Sequence, residues 1–216
     1  MELTDAIQDY VKEIYKLEAA GRRPTTSALA AQLGVSPPSV TSMLKKLASL
    51  GLVEHERYRG AHLTRKGERV ALEVIRHHRL IEQYLSQTLG LPIDALHAEA
   101  DRLEHALSEE LEEQIDRSLG FPTRDPHGDP IPGPDLKLDR VEATLLSTLE
   151  AGDKATVERI PDGDGELLRY LSKLKLTPGS RVEVRDAAPF DGPLTVRVGG
   201  AQHAISRQLA EKISVT

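Results

Sequence analysis

Apolar residues recur at helical spacing from the start of the chain. Ile7, Val11, Ile14 and Leu17, with Tyr15 beside them, predict a helix over residues 5–20 that ends at Gly21 and Pro24. Thr26 can cap a short helix through Leu33, stopped by Gly34. Ser36 followed by Pro37 reads as an N-cap with proline at the first helical position. The helix that follows runs to about Leu50, with Val40, Leu44 and Leu47 on its buried stripe. LVEHERYRGAHLT then gives two short extended runs around Arg59 and Gly60. Helix, helix, turn, helix and hairpin is the order of a winged helix-turn-helix.

The period continues as a long helix from about Arg65 to Leu89, ended by Gly90. Asp94 caps a further segment, DALHAEADRLEHALSEELEEQID, which reads as one helix to about Leu119. GFPTRDPHGDPIPGPD is dense in proline and glycine and reads as a loop or linker. LDRVEATLLSTLEAGD is short and partly helical. From about Lys154 the pattern becomes short β-type runs, interrupted by the helix GELLRYLSKLKL, which predicts a small β-barrel. The fold class is therefore mainly α with small β parts. The expected domains are a winged helix-turn-helix over 1–64, a helical metal-binding and dimerisation domain over 65–135, and a linker helix with the small barrel over 136–216.

Charge divides the chain in the same sense. Residues 1–75 carry 11 Lys and Arg against 9 Asp and Glu, a balance of +2, while residues 76–216 carry 17 against 25, a balance of −8. The first part suits nucleic acid and the acidic remainder suits cations. There is no cysteine, so any metal site must use oxygen and imidazole donors. The N-terminus is amphipathic with early acids, unlike a signal peptide, and no apolar run is long enough to span a bilayer. A cytoplasmic protein is expected.

Two groups of residues carry candidate chemistry. On one continuous helix, His97, Asp101, Glu104 and His105 would share a face at i, i+4, i+7 and i+8, and His78 and Glu82 stand at i, i+4 on the preceding helix. Ligands from two antiparallel helices can close a divalent-cation site. Leu96, Ala100, Leu103, Leu107 and Leu111 form an apolar stripe beside them, suited to a core or a dimer seam. On the third helix, Ser36, Pro38, Ser39, Thr41, Ser42, Lys45 and Lys46 lie at or near the exposed face, with Thr26 on the helix before and Arg57 and Arg59 on the hairpin. Small hydroxyl residues at a helix N-terminus can approach phosphates and bases, and the lysines supply sequence-independent affinity.

These segments resemble the diphtheria-toxin-repressor family of metal-dependent bacterial regulators. DYVKEIYKLE is similar to the family's first helix, and SPPSVTSMLKKLASLGLVEHERYRGAHLTRKG to its recognition helix and wing. HHRLIEQYL and HAEADRLEHALSEE resemble its metal-binding helices, PHGDPIPG is a further marker, and LTPGSRVEV and PFDGPLTVRV resemble a ferrous-transport-A (FeoA) type domain. The resemblance implies a primary metal site of Asp9, Asp101, Glu104 and His105. It implies a neighbouring site of His78, Glu82 and His97 with a ligand from the barrel, for which Asp162, Asp164 and Glu166 are candidates. Iron-type members carry Met and Cys where Asp9 and Asp101 stand, so the carboxylates favour Mn(II), with Fe(II) as the alternative. Lys12 stands where manganese members commonly have an acid, and it cannot coordinate while protonated. The resemblance also implies a homodimer on a palindromic double-stranded operator, repressing metal-uptake genes. An enzyme, such as a di-metal carboxylate oxidase or hydrolase, is the competing class. No nucleophile, substrate pocket or phosphate loop is evident in the sequence to support it.

Overall fold

The computed structural model describes residues 3–56, 60–138 and 143–216. The first three helices are α1 (Asp5–Ala19), α2 (Thr26–Leu33) and α3 (Pro37–Ser49). α1 buries Ile7, Val11, Ile14 and Leu17, the stripe its spacing predicts. The cap of α2 is Thr25 rather than Thr26: the Ala28 N–H donates to Thr25 Oγ1 at 3.1 Å, leaving Thr26 as the first helical residue. α3 opens as its sequence predicts, with Ser39 N–H donating to Ser36 Oγ at 3.3 Å and Pro37 in the first turn. Strands β1 (Val53–Glu56) and β2 (Gly60–Leu63) pair antiparallel from Val53↔Leu63 to Glu56↔Gly60. Leu29, Val40, Leu44, Leu47, Leu52 and Ala61 meet the α1 stripe in one core. Each fully buried leucine there contributes about 1.5–3 kcal/mol of transfer free energy.

The next helix, α4 (Arg65–Gln87), ends close to its predicted limit. The segment after Asp94 does not form one helix. It divides into α5 (Ile93–Leu103) and α6 (Glu109–Ser118), with residues 104–106 in a turn. Ser108 restarts the helix by accepting from Leu111 N–H at 3.3 Å. Glu109, Glu110 and Glu112 complement the positive N-terminal dipole of the new helix. An unbroken apolar period concealed a strong internal cap.

The C-terminal part contains β3 (Thr144–Leu145), β4 (Lys154–Arg159), α7 (Gly165–Leu174), β5 (Arg181–Ala187), β6 (Leu194–Val198), β7 (Ala201–Ile205), α8 (Arg207–Ala210) and β8 (Ser214–Val215). The strand order is β3-β8-β4-β5-β6-β7, and each pairing is antiparallel. Among the described strands the two ends of this order do not pair, so the sheet is open where a closed barrel was expected. The strands at one end, β3 and β8, are only two residues long and cannot carry a closing ladder. Val182, Val184, Val196 and Val198 alternate inward against Leu168, Leu171 and Leu174 of α7. Of the segment expected to be partly helical, residues 143–153 form β3 and a 3-10 turn, Leu146–Thr148; residues 139–142 lie outside the described set.

The chain divides into two compact units. One comprises Met1–His77, Glu104–Leu107 and Pro132–Lys137; the other comprises His78–Leu103, Ser108–Ile131 and Leu138–Thr216. The boundary falls inside α4. No described helix is long and apolar enough to cross a membrane.

Candidate metal centres and nucleic-acid interface

Helical spacing builds the first centre. His78 and Glu82 stand one turn apart on α4, and His97 and Asp101 one turn apart on α5. His78 Nε2 lies 3.1 Å from Glu82 Oε1 and 3.0 Å from His97 Nδ1. Asp101 completes the group, 3.4 Å from His78 Nδ1 and 3.5 Å from His97 Nε2.

The second centre lies in the other unit and depends on the break after α5. Glu104 and His105 sit in the turn, so a continuous helical face does not place them. His105 Nδ1 is 2.5 Å from Gln8 Oε1, and its Nε2 is 3.0 Å from Asp9 Oδ1 and 3.4 Å from Glu104 Oε1. Lys12, one turn along α1 from Asp9, pairs through Nζ with the same Glu104 Oε1. Both members of that pair are buried. Burial raises the Asp9 pKa above the ordinary carboxylate value, against the opposing effects of His105 and Lys12. His77 Nδ1 approaches the Glu104 backbone carbonyl at 3.1 Å.

A third centre comes from the proline-rich loop. Glu82, Asp125 and His127 are all buried and place a ligand atom each within 4.8 Å of one another. Glu82 faces two ways: Oε1 toward His78 and His97, and Oε2 toward His127 Nδ1 at 3.5 Å. Burial would raise its pKa, but hydrogen bonding with His127, His78 and His97 outweighs that and holds it below the ordinary range. Asp125 is pushed up to about 7 by burial and by the charges of Asp129 and Glu82. Burial lowers the His127 pKa, yet Glu82 and Asp125 raise it by more, with Asp162 adding to the same effect. Asp125 also shapes the loop: its Oδ1 accepts from the N–H groups of His127 and Asp129, each at 2.9 Å.

The donor chemistry fits a divalent metal ion. Every ligand is a carboxylate oxygen or an imidazole nitrogen, and a completely buried His127 has no hydrogen-bond partner for Nε2 among the described residues.

The structure thus groups Asp9 with Glu104 and His105, and Asp101 with His78 and His97. Of the three acids considered as further ligands, Asp162 is exposed and acts electrostatically on His127. Asp164 caps α7 by accepting from Leu167 N–H at 3.0 Å, and Glu166 is exposed in that helix's first turn. Asp125 and His127 were missed because the loop has no period. Their signal was the Asp-x-His spacing, hidden in a stretch read as linker.

On the candidate DNA face, Ser36, Pro38, Ser39, Thr41, Ser42, Lys45 and Lys46 are all exposed, and Thr26 is half-buried at the start of α2. Arg57 and Arg59 lie outside the described residues. Of the apolar stripe, Leu96 and Ala100 are buried within the chain, whereas Leu103 and Leu111 are exposed.

A winged helix-turn-helix followed by clustered imidazole and carboxylate donors defines the class of metal-dependent DNA-binding regulators. Comparison with known proteins shows the family. Residues 2–61 match the N-terminal DNA binding domain of the iron dependent repressors, 64–133 their metal binding and dimerisation domain, and 144–216 the FeoA domain. The iron-dependent repressor IdeR of Mycobacterium tuberculosis is 33% identical over 227 residues, covering 99% of this chain and 98% of that protein. The diphtheria toxin repressor of Corynebacterium diphtheriae is 31% identical over 225 residues, covering 99% and 98%. Among solved structures, a manganese-dependent transcriptional repressor in complex with manganese superposes with a TM-score of 0.89 at 39% identity, covering 97% of this chain and 99% of that one.

The chain belongs to the diphtheria-toxin-repressor family: it is a metal-dependent, DNA-binding transcriptional repressor with a dimerisation domain, not an enzyme.

Proposed function

We propose that this repressor responds to manganese and, as a metal-loaded homodimer in the cytoplasm, binds a palindromic operator to silence metal-uptake genes. The observation that carries the metal assignment is the donor set. Asp9 and Asp101 supply hard carboxylate oxygens, and the chain has no cysteine. Similarity to a repressor solved with manganese supports the same reading. An iron response is the second reading, favoured by the iron-dependent repressors among the full-length relatives.

Residues 1–64 read DNA, 65–135 bind metal and dimerise, and 136–216 form the FeoA-type domain. A bound divalent cation supplies positive charge and directional bonds to oxygen and nitrogen donors. Asp9, Glu104 and His105 hold it at one centre, which fixes α1 of the DNA-reading unit against the turn after α5. His78, Glu82, His97 and Asp101 hold it at a second, and Asp125 and His127 offer Glu82 a third. Fixing α1 sets the angle between the two recognition helices of a dimer, which then meet successive major-groove faces about one helical turn apart. Ser36, Ser39, Thr41 and Ser42 approach bases and phosphates, and Lys45 and Lys46 contribute salt-dependent affinity. Thr26, Pro38 and the hairpin residues Arg57 and Arg59 complete the interface. Metal shifts the population only through its tighter binding to the competent state. Leu103 and Leu111 extend the dimer seam.

The test is His105→Ala and Asp101→Ala in the full chain, with binding to promoter fragments of metal-transport genes measured with and without Mn(II). Both variants are expected to fold, as judged by circular dichroism, and to lose metal-stimulated binding. Stimulation equal to that of the unaltered protein would refute these ligand assignments.

A further inference from the structure

We propose that Lys12 is a built-in rival of the metal at the Asp9–Glu104–His105 centre: its ammonium neutralises Glu104 when no ion is bound, and an ion must displace it to bind. This rests on the reading that the centre holds a metal. Lys12 and Glu104 are 5% and 1% exposed, so their pairing is not the weak surface kind that solvent screens. The contested atom is also specific. Glu104 Oε1 accepts the Lys12 ammonium and is the same oxygen that stands 3.4 Å from His105 Nε2, which in turn is 3.0 Å from Asp9 Oδ1. One oxygen therefore serves both the ion pair and the ligand cluster.

Charge balance favours the same exchange. The carboxylates of Asp9 and Glu104 with the Lys12 ammonium sum to −1. Exchanging the ammonium for a divalent cation brings the cluster to neutrality without leaving either acid uncompensated. The lysine stem is flexible and its ammonium is a compact point charge, so it can leave while α1 stays in place. Lys12 thereby sets a threshold: metal occupies the centre only at concentrations that outcompete a cation already attached to the chain. The Glu82 centre has a different compensation, three imidazoles whose nitrogens are themselves ligands.

The test uses the full chain stripped of metal, with Mn(II) as the probe. Free Mn(II) is followed by electron paramagnetic resonance and stability by thermal unfolding. Lys12→Met removes the ammonium at nearly constant volume, and Lys12→Gln retains a hydrogen-bond donor if the first variant folds poorly. Either is expected to melt earlier without metal, to bind Mn(II) about tenfold more tightly at one site, and to gain more in Tm on Mn(II) addition than the unaltered protein. Adding Glu104→Gln to Lys12→Met should abolish that gain. Unchanged or weaker Mn(II) affinity in both single variants overturns the proposal, because a merely structural ion pair would lower Tm alone. If His105→Ala and Glu104→Gln leave Mn(II) stoichiometry and affinity untouched, the centre itself is not a metal site, and the proposal falls for that separate reason.

Discussion

Glu82 and Glu104 are both 1% exposed, yet the protein stabilises them by opposite means. Glu104 is met by a lysine ammonium tethered to the chain. Glu82 is met by imidazoles, which gain and lose protons near neutrality. A buried carboxylate needs a cation or donors, and the choice determines what a metal must displace: a tethered charge in one case, protons in the other. The two centres should therefore answer differently to mutation and to pH.

The largest effect is expected from Glu82→Gln. Because its two oxygens face separate ligand groups, this change should lower metal affinity at both by about 10–100-fold, a range typical even of residues that only support ligands. Metal analysis after dialysis should show greater loss than in His105→Ala, which affects only the Glu104 centre. Equal losses would break the comparison.

Gly128→Ala strikes the Glu82 side through its loop. Gly128 has φ +90°, and a Cβ there would stand 1.9 Å from the Glu158 carbonyl oxygen of β4. The same loop is fastened to β4 by Ile160 N–H donating to the His127 carbonyl at 2.9 Å and by the Arg124–Glu158 ion pair. Strain and overpacking should together cost about 2–4 kcal/mol, read by chemical denaturation, while leaving the Lys12–Glu104 centre intact.

Acidification sharpens the contrast more gently. Asp125 titrates at about 7 and His127 above its ordinary value. Lowering the pH from 8 to 6 returns protons to both and should weaken Mn(II) binding at their centre by about tenfold for each group titrating across that range. Without metal the signs differ. The raised Asp125 contributes stability that is present below the ordinary carboxylate pKa and lost as the pH rises through about 7. The depressed Glu82 contributes stability above its ordinary pKa that is lost only in acid. Calorimetry across this range, with and without Mn(II), separates them.

The smallest effects touch neither centre. Ser36→Ala should cost about 1 kcal/mol of helix-cap stability. Lys45→Ala should reduce the salt dependence of DNA binding by about one counterion, with Mn(II) affinity unchanged. An unchanged salt slope would remove Lys45 from the interface.

What could be read from sequence follows the same division. His78 with Glu82, and His97 with Asp101, were legible because a helix brings residues four apart together. The winged-helix order was legible from its caps and apolar stripes. Glu104 and His105 are candidate ligands that the sequence puts on a continuous helical face; the Ser108 cap and the acids after it outweigh continuation of the helix and put them in a turn instead. Asp125 and His127 lie in a loop without periodicity, where only tertiary packing brings them to Glu82. From its side chain alone, Lys12 reads as a residue unable to coordinate while protonated. Its partner stands 92 positions away, a separation that no local pattern encodes.

The most direct test of the account is fluorescence anisotropy with labelled promoter fragments of metal-transport genes at fixed salt. Protein is titrated in chelator, then with Mn(II), then with Fe(II) under anaerobic conditions. The account predicts tight binding with Mn(II) and little in chelator, with Fe(II) the weaker activator. Equal affinity in chelator and in Mn(II) would contradict it, leaving the imidazole and carboxylate clusters as structural features only.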